Sequence, residues 1–301
     1  MGIWNALWVG LRKVNCNKKM WFILFGIQFI FALLLLLPLR SQLDKLIGHS
    51  LSGQDILQGI GANVFFEFIT HHSQTVSLEF TLLLVVGLIY LVMSIFLNGG
   101  ILGIFTKENN AFSAIQFFGS AGQYFGRFLR LFLFSVVFIF IVFFIDKGFA
   151  ALFTRISGDS ESYQFTFRML RILILLFLIF FINMTFDYAK IRTVFQKRRD
   201  MLRTGLRAWS FVFQNLGKTL GLYYIVVALG LLFFVLYTVL GKFISVSTSL
   251  GILLLFLWQQ AYALGRIWVR LFFFSSQVTL YKNLSDQPIL KAWYQDKQSR
   301  D

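Results

Sequence analysis

One cysteine, two prolines and three histidines in 301 residues leave little from which to build most kinds of site. Cys16 by itself makes neither a disulfide framework nor a multi-thiolate metal centre. The histidines, His49, His71 and His72, all fall in one stretch between two apolar runs. There Glu67 and His71 stand four apart, which gives two or three ligands without a fourth, and the HExxH arrangement is absent. Acidic residues are scarce as well, 13 against 28 Lys and Arg. The paired carboxylates that an intramembrane aspartyl protease needs are missing. No Gly-rich phosphate loop, Ser nucleophile elbow or thiol motif appears. No metal, cofactor or catalytic activity is therefore expected. Charged residues make up 14% of the chain, against about 25% in a soluble domain. That shortage excludes a water-soluble globule, and the same hydrophobicity excludes disorder.

What the chain has in quantity is apolar surface: 57% of residues are hydrophobic, 39 of them Phe. A bilayer core about 30 Å thick takes roughly 20 helical residues, and six segments qualify. Residues 20–39, 80–106, 219–241 and 243–265 carry no charge. The third and fourth spans have shorter uncharged cores, 131–145 and 172–186, flanked by Arg127, Arg130, Arg168 and Arg171 in snorkelling positions. The runs do not alternate as barrel strands would, so the fold class is an all-α membrane protein with six transmembrane helices. The first run is too long for a signal peptide and no small-residue cleavage pattern follows it, so it is read as a span. Gly2 lacks the Ser or Thr at position six that myristoylation prefers, since Ala6 stands there.

Lys and Arg orient the spans. One side collects 21 of the 28: the N-terminal segment, the second and fourth connections, and the C-terminal end. Both termini are expected in the cytoplasm, with the protein multi-pass in a bacterial cytoplasmic membrane. Its charge of +15 lies along a membrane face rather than in a soluble domain, which favours lipid over nucleic acid as a partner.

Three stretches share one order, an amphipathic segment, a small or Asn residue, a basic residue and then a span: residues 4–19, 112–127 and 202–218. They predict three parallel repeats, 1–110, 111–200 and 201–301, each an interfacial helix followed by a hairpin, around a pseudo-threefold axis. In the first, Trp4, Leu7, Trp8, Leu11 and Val14 fall on one helical face. In the third, Leu202, Leu206, Trp209, Phe213 and Leu216 form the apolar stripe, with Arg199, Arg203 and Arg207 on another face. Such helices suit an anionic leaflet, where each cation contributes on the order of 1 kcal/mol. Arg199, Arg203, Arg207, Lys218, Arg127 and Lys18 are the residues expected to meet anionic phospholipid. Capping of the bundle and docking of a membrane or cytoplasmic protein partner are the alternatives.

Two further groups stand out inside the spans. Asp187, at the inner end of the fourth, is placed to pair with Arg266 or Arg270 in the sixth, although both arginines also fit a snorkelling role. Asn98, Gly99, Gly100 and Gly103 interrupt the second span, and Asn183 lies in the fourth. Such residues let helices pack closely. Together with Gln259 and Gln260, Asn98, Gly100 and Asn183 would line a transport path.

The segment 186–195 (FDYAKIRTVF), the basic run after it, the amphipathic helix and the re-entry at Leu216, Gly217 and Lys218 resemble a broad group of uncharacterised bacterial six-span membrane proteins. They are also similar to the membrane domain attached to some glycerophosphodiester phosphodiesterases. The resemblance implies architecture and a bacterial inner membrane. No catalytic residue carries over, because such enzymes keep theirs in a separate soluble domain. The expected role is a non-catalytic, lipid-contacting scaffold or accessory subunit; the alternative is a transporter or channel for a small molecule or lipid.

Overall fold

The computed structural model describes residues 2–47, 73–107, 112–157, 161–196, 201–244 and 248–298. Over them the chain is helical: α1 (Ile3–Cys16), α2 (Lys18–Ile47), α3 (Ser73–Phe105), α4 (Ala114–Ser157), α5 (Glu161–Gln196), α6 (Met201–Gln214), α7 (Leu216–Gly241) and α8 (Ser249–Gln298). Six of these are long and apolar enough to cross a membrane, over Lys18–Pro38, Phe80–Phe105, Ala114–Phe153, Tyr163–Gln196, Leu216–Gly241 and Ser249–Ser285. They make this a multi-pass membrane protein, and each falls on a segment expected from hydropathy. Among the described residues there is no strand.

Two asparagines punctuate the chain. The Asn17 amide donates to the Lys13 carbonyl at 2.7 Å and its backbone N–H to Val14 O, which ends α1 one residue before α2 starts. Asn215 does the same for α6, its side chain bonding Phe211 O at 3.0 Å. Its own carbonyl then accepts from the Lys218 and Thr219 N–H groups, so one residue closes α6 and opens α7. The break therefore falls two residues before the Gly217-Lys218 pair that marked it in the sequence. The middle segment differs more. Residues 112–127 were expected to form a separate interfacial helix, but α4 runs unbroken through Gly126 and Arg127. No asparagine stands there to bond back to the preceding turn. A glycine weakens a helix without supplying a competing side-chain bond. The resulting 44-residue helix is about 66 Å long.

The chain forms two compact units, residues 1–19 with 95–301 and residues 20–94. The smaller unit holds most of α2 and α3. In it the Gln28 amide donates to Tyr90 Oη at 2.9 Å, and Phe31 packs edge-on against the same tyrosine at 5.3 Å. In the larger unit the hairpin of α4 and α5 is laced by Phe153 on Phe167, by an Asp146–Arg171 ion pair and by Phe138 on Phe186. That of α7 and α8 is laced by Tyr237 on Tyr262 and Tyr223 on Phe273.

The core of the larger unit sits at one end of these helices. Buried side chains are concentrated in the first half of α4 (Phe117, Phe128, Leu131), the second half of α5 (Ile182 to Val194) and the first turns of α7 (Leu222, Val226). On α8 they run from Ile267 to Leu284, and α6 and α1 contribute Val212 and Val14. Phe211 of α6 meets Tyr188 and Tyr281, and Phe195 meets Tyr281, which brings the ends of α5 and α8 together under α6. Toward the other end α4 exposes Phe140 and Phe144, α7 exposes Leu231 and Val235, and α8 exposes Leu250 and Leu253. Apolar surface on that scale is the mark of a lipid-facing flank.

Candidate functional site

The two short helices, α1 and α6, lie against the packed end of the larger unit, and each presents three faces. On α1, Ala6, Leu7, Gly10 and Val14 are buried, and Gly10 is so close to Ser276 of α8 that a Cβ there would collide with its side chain. Next around the helix come Trp4 and Trp8, 77% and 64% exposed, and after them Asn5 and Arg12. On α6, Met201, Thr204, Ala208 and Val212 are buried. Leu206 and Phe213 are exposed beside them, followed by Arg203, Arg207 and Ser210. The expected apolar stripes therefore split. Only part of each faces the protein; the rest is an uncovered apolar strip beside a polar one. The Leu202 side chain lies outside the described residues.

Trp209 anchors α6, its ring 5.6 Å from Phe138 of α4 and 5.7 Å from Phe181 of α5. Arg192 of α5 adds a bond from Nη1 to the Arg207 carbonyl at 3.1 Å. Of the side chains expected to meet lipid, Arg203, Arg207, Lys218 and Lys18 are exposed. Arg127 is not a free surface cation: its guanidinium lies 5.6 Å over the Tyr124 ring, and its Nη1 is buried without a hydrogen-bond partner among the described residues. Arg199 lies outside the described residues, as do Glu67, His49, His71 and His72.

Lys13, on α1 between its buried and polar faces, reaches the Phe105 carbonyl at the C-terminal end of α3, 3.4 Å away. A cation suits a helix C-terminus. Burial, and then the nearby Lys282 charge, hold its amine below the ordinary value of 10.5. Trp268 of α8 donates from Nε1 to Asn15 Oδ1 at 3.1 Å, a second tie between α1 and α8.

The other expected groupings fall differently. Asp187 pairs with Lys190, one turn along its own helix, at 2.9 Å, rather than with Arg266 or Arg270. Arg270 instead donates from Nη2 to Asn98 Oδ1 at 2.9 Å, linking α8 to the end of α3. Arg266 is exposed. A charge pair that does cross between helices is Asp146–Arg171, at 3.2 Å, joining α4 to α5. Its signal in the sequence is the acidic residue directly after the uncharged run 131–145, with Arg171 directly before the next uncharged run, 172–186. Gly99 and Gly103 do allow close packing: a Cβ on Gly99 would stand 3.2 Å from Ala121 Cα, and one on Gly103 would overlap Ser120 Cβ. Gly100 lies against the Phe117 ring, Asn183 and Gln259 are exposed, and Gln260 is half-buried. None of these residues lines the α7–α8 cleft or the small cavity between α4 and α5.

Among the described residues no three His, Cys, Asp or Glu side chains gather as metal ligands would. Compared with protein-family models, with curated proteins and with solved structures, the chain matches none.

Proposed function

We propose that this six-span protein lies in a bacterial cytoplasmic membrane with both termini inside, and acts without catalysis as a scaffold or accessory subunit that holds anionic phospholipid. The observation that carries the reading is the three-faced build of α1 and α6. A helix whose second face is exposed and apolar, next to a third, polar strip that carries Arg, is suited to the boundary between acyl chains and acidic headgroups. Arg203, Arg207, Lys218 and Lys18 are the cations of that boundary. The positive-inside rule puts them in the cytosol.

The same build supports three related repeats. On α1, on the first turns of α4 and on α6, the buried face is followed around the helix by an exposed apolar strip and then by a polar one, in the same rotational sense. Asn17 and Asn215, each ending a short helix just before a span, add a second likeness between the first and third units. The polar strip offers itself to a cytoplasmic or membrane protein partner, and no nucleic acid is involved.

The test is lipid selectivity in mixed bilayers. Spin-labelled phosphatidylglycerol should be enriched over phosphatidylcholine around the reconstituted protein, and the enrichment should fall with added salt. Replacing Arg203, Arg207 and Lys218 by Gln should abolish most of it. Equal partition of the two lipids around the unmodified protein ends the proposal.

A further inference from the structure

Arg266 and Arg270 stand one turn apart on α8, inside the span Ser249–Ser285, and both line a cleft of about 370 Å³ between α7 and α8. The rest of the wall is almost wholly apolar, with Val227, Gly230 and Phe233 from α7 and Val269 and Phe273 from α8. The stacked rings of Tyr237 and Tyr262, 4.2 Å apart, lie toward one end, and Tyr223 against Phe273 lies toward the other. Arg266 and Val227 are exposed, so the cleft is open along its flank.

A guanidinium in a membrane-spanning helix is costly and is kept where it meets a partner or a cavity. Here two like charges share one small cavity. The bond from Arg270 to Asn98 fixes the direction in which its guanidinium lies. Gly230 is not demanded by crowding: the nearest atom to a Cβ built there is Val269 Cγ1 at 3.9 Å. Its effect is to leave the groove between the two helices unfilled.

We infer that this cleft binds one anionic glycerophospholipid, its phosphodiester held by Arg266 and Arg270 and the first part of one acyl chain lying along Val227, Gly230 and Phe233. Guanidinium donors match phosphate oxygens in fork geometry, with charge-assisted bonds that are strongest where water is excluded. The volume is at the small end of ligand cavities, roughly 300–1,000 Å³, and suits a headgroup and a short length of chain rather than a protein helix. The apolar wall favours a lipid over free phosphate. The inference shares with the proposed function the membrane location and the class of lipid, but not the site: the cations of α6 take no part in it.

Native mass spectrometry of the protein released from nanodiscs of phosphatidylglycerol and phosphatidylcholine tests it. The expected result is one retained phosphatidylglycerol, at least about tenfold preferred over phosphatidylcholine. Arg266→Gln should remove that preference. Gly230→Leu, which fills the groove and leaves both arginines in place, should remove the retained lipid. Lys242→Gln, at an exposed cation just past the other end of α7, should leave both unchanged. Inorganic phosphate should not displace the lipid. The inference is overturned if either cleft variant, monodisperse and melting near the unmodified protein, retains lipid as before, or if phosphate competes. It is equally overturned if Arg203→Gln with Arg207→Gln loses the lipid while both cleft variants keep it, a result that leaves the surface reading standing.

Discussion

Gly103 and Ser120 set how closely the end of α3 approaches α4, and the tolerance is less than one methyl group. Gly103→Val should lower stability by about 1–3 kcal/mol through overpacking, read as a lower melting temperature in detergent. Gly122, on the same stretch of α4, has open space where a Cβ would go. Gly122→Ala should raise stability by up to roughly 1 kcal/mol through helix propensity, so the pair separates crowding from backbone effects. Asp146 and Arg171 make the second residue-scale case. Asp146→Asn leaves a guanidinium among Val142, Phe149 and Ile174, which line the same small cavity. The loss should exceed the roughly 1 kcal/mol ceiling of a water-exposed pair, and the charge exchange Asp146→Arg with Arg171→Asp should recover most of it. Lys13 supplies a pH dependence. Its folded-state value lies below the unfolded 10.5, so between the two values the unfolded chain binds more protons and stability rises with pH. Thermal melts should show that rise as the pH approaches 10.5 from below, and Lys13→Met should remove it.

At the scale of whole helices, α6 combines a structural anchor and an uncovered strip, and substitutions should tell them apart. Trp209→Ala takes away a ring packed against Phe138 of α4 and Phe181 of α5 and should cost toward the lower end of roughly 3–5 kcal/mol. Leu206, 68% exposed, should cost little in detergent when changed to Ala, and Trp4→Ala on α1 likewise; circular-dichroism melts check all three. The helices themselves were largely legible in the sequence, because each span is an uninterrupted apolar run and the positions of Lys and Arg bound it. The end of α1 was legible for a related reason, since Asn17 precedes two lysines. The continuity of α4 was not. An apolar period of three or four reports a helix but not whether it joins the next one, and that is decided by whether a side chain bonds back into the last turn. Partners across helices were the least legible. Hydropathy gives depth along a span, which placed Asp187 level with Arg266 and Arg270, but it carries no azimuth. Lys190, one turn away, therefore took the carboxylate, and Asn98 took Arg270.

For the whole molecule the first question is sidedness, and Cys16 is a built-in probe because it is exposed at the end of α1. An impermeant maleimide should label it in inside-out vesicles and leave it unmodified in intact cells. A second thiol at Ser210, on the polar strip of α6, should follow it in a Cys16→Ser background. Labelling of either position from outside would reverse the assigned orientation.

The one-ended core of residues 1–19 and 95–301 has a mechanical consequence. Where α4 meets α5 and α7 meets α8 beyond the buried stretch, each hairpin is closed on itself but borders acyl chains on its other sides. Phe144, Leu173, Val235 and Leu253 are all exposed at that end, so the packing that fixes the other end is thinner there. A thinner or more fluid bilayer should splay them about the fixed end, and the angle between the hairpins becomes a gauge of the membrane around them.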